Sequence, residues 1–220
     1  MDTVEDRCGA SVSLSPNWNE PVQVITKRLL DVTISLLLMI LLSPMLLLLA
    51  LLIKYTSPGP VLYPWRVVGK NGRPFVGFKF RSMVVDADER KAELAKLNEM
   101  TGPVFKLTND PRVTPVGRWL RRYSLDELPQ LYSVFIGDMS LVGPRPPLQS
   151  EYSQFTTLQK QKLSVKPGMT CLWQVQGRTD INDFADWVRL DLEYIEQWSL
   201  VLDLKILFRT ASVVVSGSGK

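Results

Sequence analysis

The segment LLDVTISLLLMILLSPMLLLLALLI, residues 29–53, decides how this chain is built, with Asp31 as its one charged residue. As unbroken helix, 25 residues would rise roughly 37 Å, enough to cross a hydrocarbon core of about 30 Å. Ser43-Pro44 interrupts the run. Proline removes a backbone donor and disfavours helical geometry in the residue before it. Two arms of roughly 21 and 14 Å result, each too short to cross alone. Lys27 and Arg28 precede the run and Lys54 follows it, so the flanks lack the Lys/Arg asymmetry of a spanning helix. The reading favoured here is a re-entrant helix that enters the bilayer, bends at Ser43-Pro44 and returns to the same face. A kinked spanning helix is the second reading. A core helix fits worst, because the run has no polar face.

Working outward, residues 1–23 mix acids, Ser, Pro and Asn and read as a flexible tail. Residues 24–54 form the membrane helix–break–helix, 55–215 the globular domain, and 216–220 a flexible end. Turn signals at Ser57-Pro58-Gly59-Pro60 and Lys70-Asn71-Gly72-Arg73 bracket strand-like residues, the second fitting a hairpin. Residues 75–83, FVGFKFRSM, alternate at a strand period, with Lys79 and Arg81 on one face. Residues 86–100 and 115–123 read as helices, 125–136 as another, and 171–175 as extended. Residues 181–198 and 200–215 read as amphipathic helices, with Trp187, Tyr194 and Trp198 suited either to a bilayer interface or to ordinary core packing. The expected fold class is an α-dominated α+β protein: a membrane helix broken at Ser43-Pro44, a small globular domain with short strands, and interfacial amphipathic helices.

Composition narrows the chemistry. The chain has 220 residues, a formal charge of +4 and no histidine. A Ser-His-Asp triad and His-containing zinc sites are thereby excluded. The two cysteines, Cys8 and Cys171, make neither a metal spacing nor a disulfide framework and fit a reducing cytoplasm. Between Arg66 and Arg122 there are 13 Lys or Arg against 6 Asp or Glu. A tract this basic calls for an anionic partner: a phosphorylated substrate, a lipid headgroup or nucleic acid.

The chemical candidates cluster in residues 118–147, RWLRRYSLDELPQLYSVFIGDMSLVGPRPP. Adjacent carboxylates, Asp126 and Glu127, follow Arg118, Arg121 and Arg122, and Arg145 sits in a stiff Gly-Pro-Arg-Pro-Pro turn. Carboxylates can hold a divalent metal or attack phosphorus, and guanidinium groups clamp phosphate oxygens. The structural alternative is a capping box, since Ser124 precedes Glu127 by three residues.

The chain resembles the bacterial sugar transferases, the monotopic phosphoglycosyl transferases. The resemblance runs from about Lys27 to Val215 through KRLLD and the Ser-Pro-broken apolar run, FKFRSM, NDPRVTPVGRWLRRYSLDELPQL, GDMSLVGPRP, KPGMTCLWQVQGR and WSLVLDLKIL, in the family's order. Cys171 stands where the family often has glycine. The resemblance implies a compact catalytic form that moves a sugar 1-phosphate from a UDP-sugar to polyprenyl phosphate, in the first membrane step of a bacterial surface or exopolysaccharide pathway. It implies Asp126 as nucleophile, with Glu127 assisting, and Mg2+ at Asp126. It further implies phosphate contacts from Arg121 and Arg145, with Lys79 and Arg81 as additional candidates and Asp203 and Arg178 in support. The expected partners are UDP-sugar, undecaprenyl phosphate and membrane lipids, with no nucleic acid and with a homo-oligomer left open. The expected location is the bacterial inner membrane, with the active site on its cytoplasmic face. Two other readings stay open: a membrane transferase using direct single displacement, and a non-enzymatic scaffold that binds anionic lipids.

Overall fold

The computed structural model describes residues 14–176 and 181–217. Arg178 lies outside them. The dominant element is helix α1, Pro21–Thr56. The expected break at Ser43-Pro44 does not divide it; the helix runs through Pro44. The physical reason is local. Pro44 cannot donate to the Ile40 carbonyl, and the Ser43 hydroxyl donates to that carbonyl instead, at 2.8 Å. A side chain thus supplies the donor that the backbone lacks there. Only 11 % of the most apolar window of α1 is buried, which is not how the core helix of a soluble protein sits.

Lys27, Arg28 and Asp31, assigned by sequence to the membrane segment 24–54, make their contacts with the globular domain. Lys27 donates to Asp203 Oδ2 at 2.6 Å and to the Val142 carbonyl at 3.0 Å. Arg28 donates to the carbonyls of Val134 and Phe135, both at 2.7 Å. Asp31 accepts from the Leu141 N–H at 2.9 Å and the Ser140 hydroxyl at 3.1 Å. At the other end of α1, Leu49 and Ile53 pack with Phe80 and Leu120 in a second buried cluster. Each such aliphatic side chain contributes about 1.5–3 kcal/mol by burial. Both ends of the helix therefore rest on one globular body, while Leu36, Leu37, Ile40, Leu41, Leu47 and Leu48 stay exposed.

Strands β1, Leu62–Val68, and β2, Pro74–Phe80, form an antiparallel hairpin with Val68 opposite Pro74. Its turn uses left-handed backbone at Asn71 (φ 56°) and Gly72 (φ 78°), as an Asn-Gly pair readily does. The helix expected over 86–100 shrinks to a single turn, α2, Ala87–Arg90, because its charges lack an apolar face to bury. Helix α3, Pro115–Arg122, is capped by the Thr114 hydroxyl, which accepts from the Gly117 N–H. Leu125–Gln130 is 3₁₀ helix and α4 covers only Leu131–Ile136. Pro129 lies within the 3₁₀ segment and cannot donate in the ladder of a single longer α-helix.

Strands β3, Ser140–Val142, and β4, Gly168–Thr170, pair in parallel. One-turn helices α5, Gln149–Tyr152, and α6, Thr157–Lys160, lie between them in sequence. Residues 171–175, expected to be extended, fall largely in helix α7, Leu172–Gln176. Helices α8, Phe184–Gln197, and α9, Leu200–Ser216, close the fold. Trp187, Tyr194 and Trp198 are 7 %, 1 % and 0 % exposed, so the core-packing alternative holds and the interface reading of those rings is overturned. The flexible tail expected over 1–23 is likewise contradicted for its described part. Trp18 stacks on Trp198 with centroids 3.9 Å apart. Ser15 and Asn17 donate to the Trp198 carbonyl, and the Trp18 indole N–H donates to that of Ile195. This segment supplies the donors that the end of α8 lacks.

Candidate active site

Asp126 lies at the head of the 3₁₀ segment, 8 % exposed, directly after a strained corner. Ser124 adopts left-handed backbone, φ 54° and ψ 22°, a conformation that costs a non-glycine residue about 1 kcal/mol or more. The capping box does not form: the Ser124 side chain makes no cap hydrogen bond, and the Glu127 N–H bonds the Ser124 carbonyl instead. The acid pair is thus freed from a purely local role. Glu127 Oε1 accepts from Lys79 Nζ at 2.9 Å and lies 3.9 Å from Arg145 Nη1.

Lys79 projects from β2 beside the Trp65 ring, 3.9 Å from its centroid. Trp65 faces Gly77 across the hairpin, and this diagonal brings ring and ammonium together. Burial pushes the Lys79 ammonium below its usual pKa, opposed mainly by the Glu127 carboxylate. Arg121 comes from α3, its Nε donating to the Ser82 hydroxyl at 2.9 Å. Helix α3 can sit so close because residue 117 is glycine; a Cβ there would collide with the Ser82 carbonyl.

Arg145 is aimed by its turn. The Pro144 carbonyl accepts from the Gly168 N–H at 2.9 Å, and that of Pro147 from the Val68 N–H at 3.0 Å. The guanidinium lies 6.0 Å from the Trp173 ring, which stacks on Trp187 at 4.1 Å. Nearby, Lys162 pairs with Asp191 at 2.5 Å, both nearly fully buried. Burial drives the Asp191 carboxyl upward, against the pull of Lys162.

Asp126, Glu127, Lys79, Arg121, Arg145, Lys162 and the Trp173–Trp187 stack line a cavity of about 900 Å³, whose described wall residues include eight Lys or Arg against four Asp or Glu. A second chamber of about 280 Å³ shares Asp126, Lys79, Arg121 and Glu151 with it. The structure therefore brings Asp126, Glu127, Lys79, Arg121 and Arg145 to one place. It gives Arg81 and Asp203 other tasks. Arg81 lies just past β2, its guanidinium spent on the carbonyls of Ser57, Pro58 and Pro60 and on the Ser57 hydroxyl. Asp203 lies in the core, accepting from Lys27, the Tyr194 hydroxyl and the Trp198 indole. Ser82 and Trp173 fall inside the family motifs and Trp187 was singled out for its ring, but no site role was assigned to them or to Trp65; Gly77, a small residue within a strand pattern, was the one hint of a ring packed opposite.

The sequence profile described as "Bacterial sugar transferase" matches residues 22–217. Galactosyl transferase CpsE of Streptococcus agalactiae is 46 % identical over 208 residues, covering 94 % of this chain and 46 % of that protein. Exopolysaccharide production protein ExoY of Sinorhizobium fredii is 41 % identical over 203 residues, covering 90 % and 89 %. The UDP-glucose:undecaprenyl-phosphate glucose-1-phosphate transferase of Klebsiella pneumoniae is 40 % identical over 210 residues, covering 90 % and 43 %. The chain thus spans less than half of two of these relatives and nearly all of the third.

Proposed function

The chain belongs to the bacterial sugar transferase family, and from that premise we propose that it moves a sugar 1-phosphate from a UDP-sugar to undecaprenyl phosphate through a covalent adduct on Asp126. A carboxylate oxygen of Asp126 attacks the sugar-bearing phosphorus, and the bond to the bridging oxygen breaks, releasing UMP. The acceptor's phosphate oxygen then attacks the same phosphorus. The bond to Asp126 breaks, the carboxylate is regenerated, and polyprenyl-diphospho-sugar leaves. Splitting the transfer in two lets one cavity serve a soluble donor and a lipid acceptor in turn.

The observation that carries this reading is the placement of Asp126 at a strained corner of a cation-rich cavity, with Arg121 and Arg145 on its walls. Guanidinium groups neutralise charge that would otherwise repel a carboxylate nucleophile from a diphosphate. Glu127, held by Lys79, keeps that ammonium beside the reacting phosphate. Among the described residues no three His, Cys, Asp or Glu side chains gather into a metal cage. That suits Mg2+, which typically takes one or two carboxylates and completes its shell with water and substrate phosphate. Asp126 would hold it, and its charge would offset that of the diphosphate.

Both ends of α1 lie on the same domain, which supports a helix that dips into the inner membrane from one side. The cytoplasmic face is the side on which nucleotide sugars meet a lipid phosphate. The test is UMP release from UDP-galactose or UDP-glucose that depends on undecaprenyl phosphate and magnesium. Asp126→Asn should lower it by roughly a thousandfold or more. No UMP release across a panel of UDP-sugars would contradict the reading.

A further inference from the structure

Among the described residues four acids line the main cavity, and three are accounted for. Asp110 is locked to Arg112 at 2.6 Å, Glu127 to Lys79, and Asp126 is the proposed nucleophile. The fourth is Glu151, which borders both chambers. It stands at the third position of α5, where its Oε2 accepts from the Leu148 backbone N–H at 2.9 Å. Leu148 directly follows the Arg145 turn and bridges to Val67 of β1, so Glu151 is carried by the same rigid segment that aims Arg145.

A carboxylate in a cavity built for phosphates is repelled by the ligand's anionic part. Neutral donors on the ligand make it favourable, and those of a nucleotide sugar near its phosphates are hydroxyls. We propose that Glu151 binds donor hydroxyl groups, one oxygen held by the Leu148 N–H and the other accepting from the ligand. The proposal rests on the transferase reading above and adds to it a residue that recognises the donor rather than reacting with it. The hydroxyls belong either to the ribose or to the transferred sugar, and the two sources give different results.

The local cap supplies a clean control. Glutamine serves the cap at this position as glutamate does, so Glu151→Gln keeps the Leu148 bond while removing the charge. Glu151→Ala removes both. The measurement is the dissociation constant of UMP and of UDP-galactose and UDP-glucose for the full chain in detergent, alongside the melting temperature. Glu151→Gln should melt like the wild type yet bind UDP-sugar about 10- to 100-fold more weakly, the loss expected for a hydrogen bond to a charged group. Equal weakening for UMP assigns the contact to the ribose; unchanged UMP affinity assigns it to the transferred sugar. Wild-type affinity for every ligand in Glu151→Gln, with weakening only in a destabilised Glu151→Ala, would reduce Glu151 to a helix cap and overturn the proposal. Failure of the wild type to bind any of these ligands would instead remove the transferase reading, and this proposal with it.

Discussion

Lys27→Met should uncouple the membrane helix from the C-terminal helices. Lys27 is 7 % exposed and Asp203 6 %, with 2.6 Å between their charged atoms. Removing one partner of a buried pair typically costs 3–5 kcal/mol, because the remaining charge is left buried. Asp203 would keep two neutral donors, the Tyr194 hydroxyl at 2.8 Å and the Trp198 indole at 3.2 Å, so the low end, about 3 kcal/mol, applies. For a chain of this size that corresponds to a fall in Tm of about 6–12 °C. Lys27→Met/Asp203→Asn removes the stranded charge and should recover more than half of the loss. Thermal unfolding in detergent, followed by tryptophan fluorescence, reads both, since Trp198 is part of the network. A Lys27→Met protein melting within about 2 °C of wild type, or a double variant whose loss is simply additive, would refute this account of how α1 is anchored.

Three other outcomes follow from the same geometry. Ser43→Ala leaves the Ile40 carbonyl without the Ser43 hydroxyl that replaces Pro44's missing donor; it should destabilise the lipid-embedded protein by about 1–3 kcal/mol, whereas Ser43→Thr should be near neutral in the same unfolding assay. Gly117→Ala drives a methyl group into the Ser82 carbonyl; moving α3 should cost about 1–3 kcal/mol and, by displacing Arg121, lower kcat/KM by roughly tenfold or more. The Tyr63 hydroxyl donates to Asp88 at 3.0 Å, and burial first, then that partner, push its pKa from 10.0 to about 12. Its folded pKa lies above the unfolded one, so the stabilisation is complete below pH 10 and is lost as pH rises towards 12. Tyr63→Phe should therefore show a shallower fall of Tm over that interval; parallel slopes in the two proteins would exclude the linkage.

Much of the site was legible because its signals are local. Asp126-Glu127, the preceding arginines and the Gly-Pro-Arg-Pro-Pro turn are sequence neighbours, and their backbone chemistry largely fixes where they go. The Asn-Gly hairpin announced itself in the same way. Several of the misreadings trace to tertiary contact. Lys27, Arg28 and Asp31 look like the charged edge of a membrane segment, yet each finds its partner more than 100 residues away. Arg81 alternates correctly with Lys79, but the strand ends at Phe80 and the loop after α1 claims its guanidinium. Trp198 and Tyr194 carry polar tips suited to an interface, and those tips instead bond Asp203 in the core. Ser43 shows how a single hydroxyl can carry a helix past a proline whose missing backbone donor reads as a break.

The most direct measurement is mass spectrometry of purified protein quenched after incubation with UDP-sugar and magnesium in the absence of acceptor. A sugar-phosphate adduct on the peptide bearing Asp126, discharged when undecaprenyl phosphate is added, is the predicted result. An adduct on another side chain, or none during verified UMP release, would contradict the claim that Asp126 carries the transferred group.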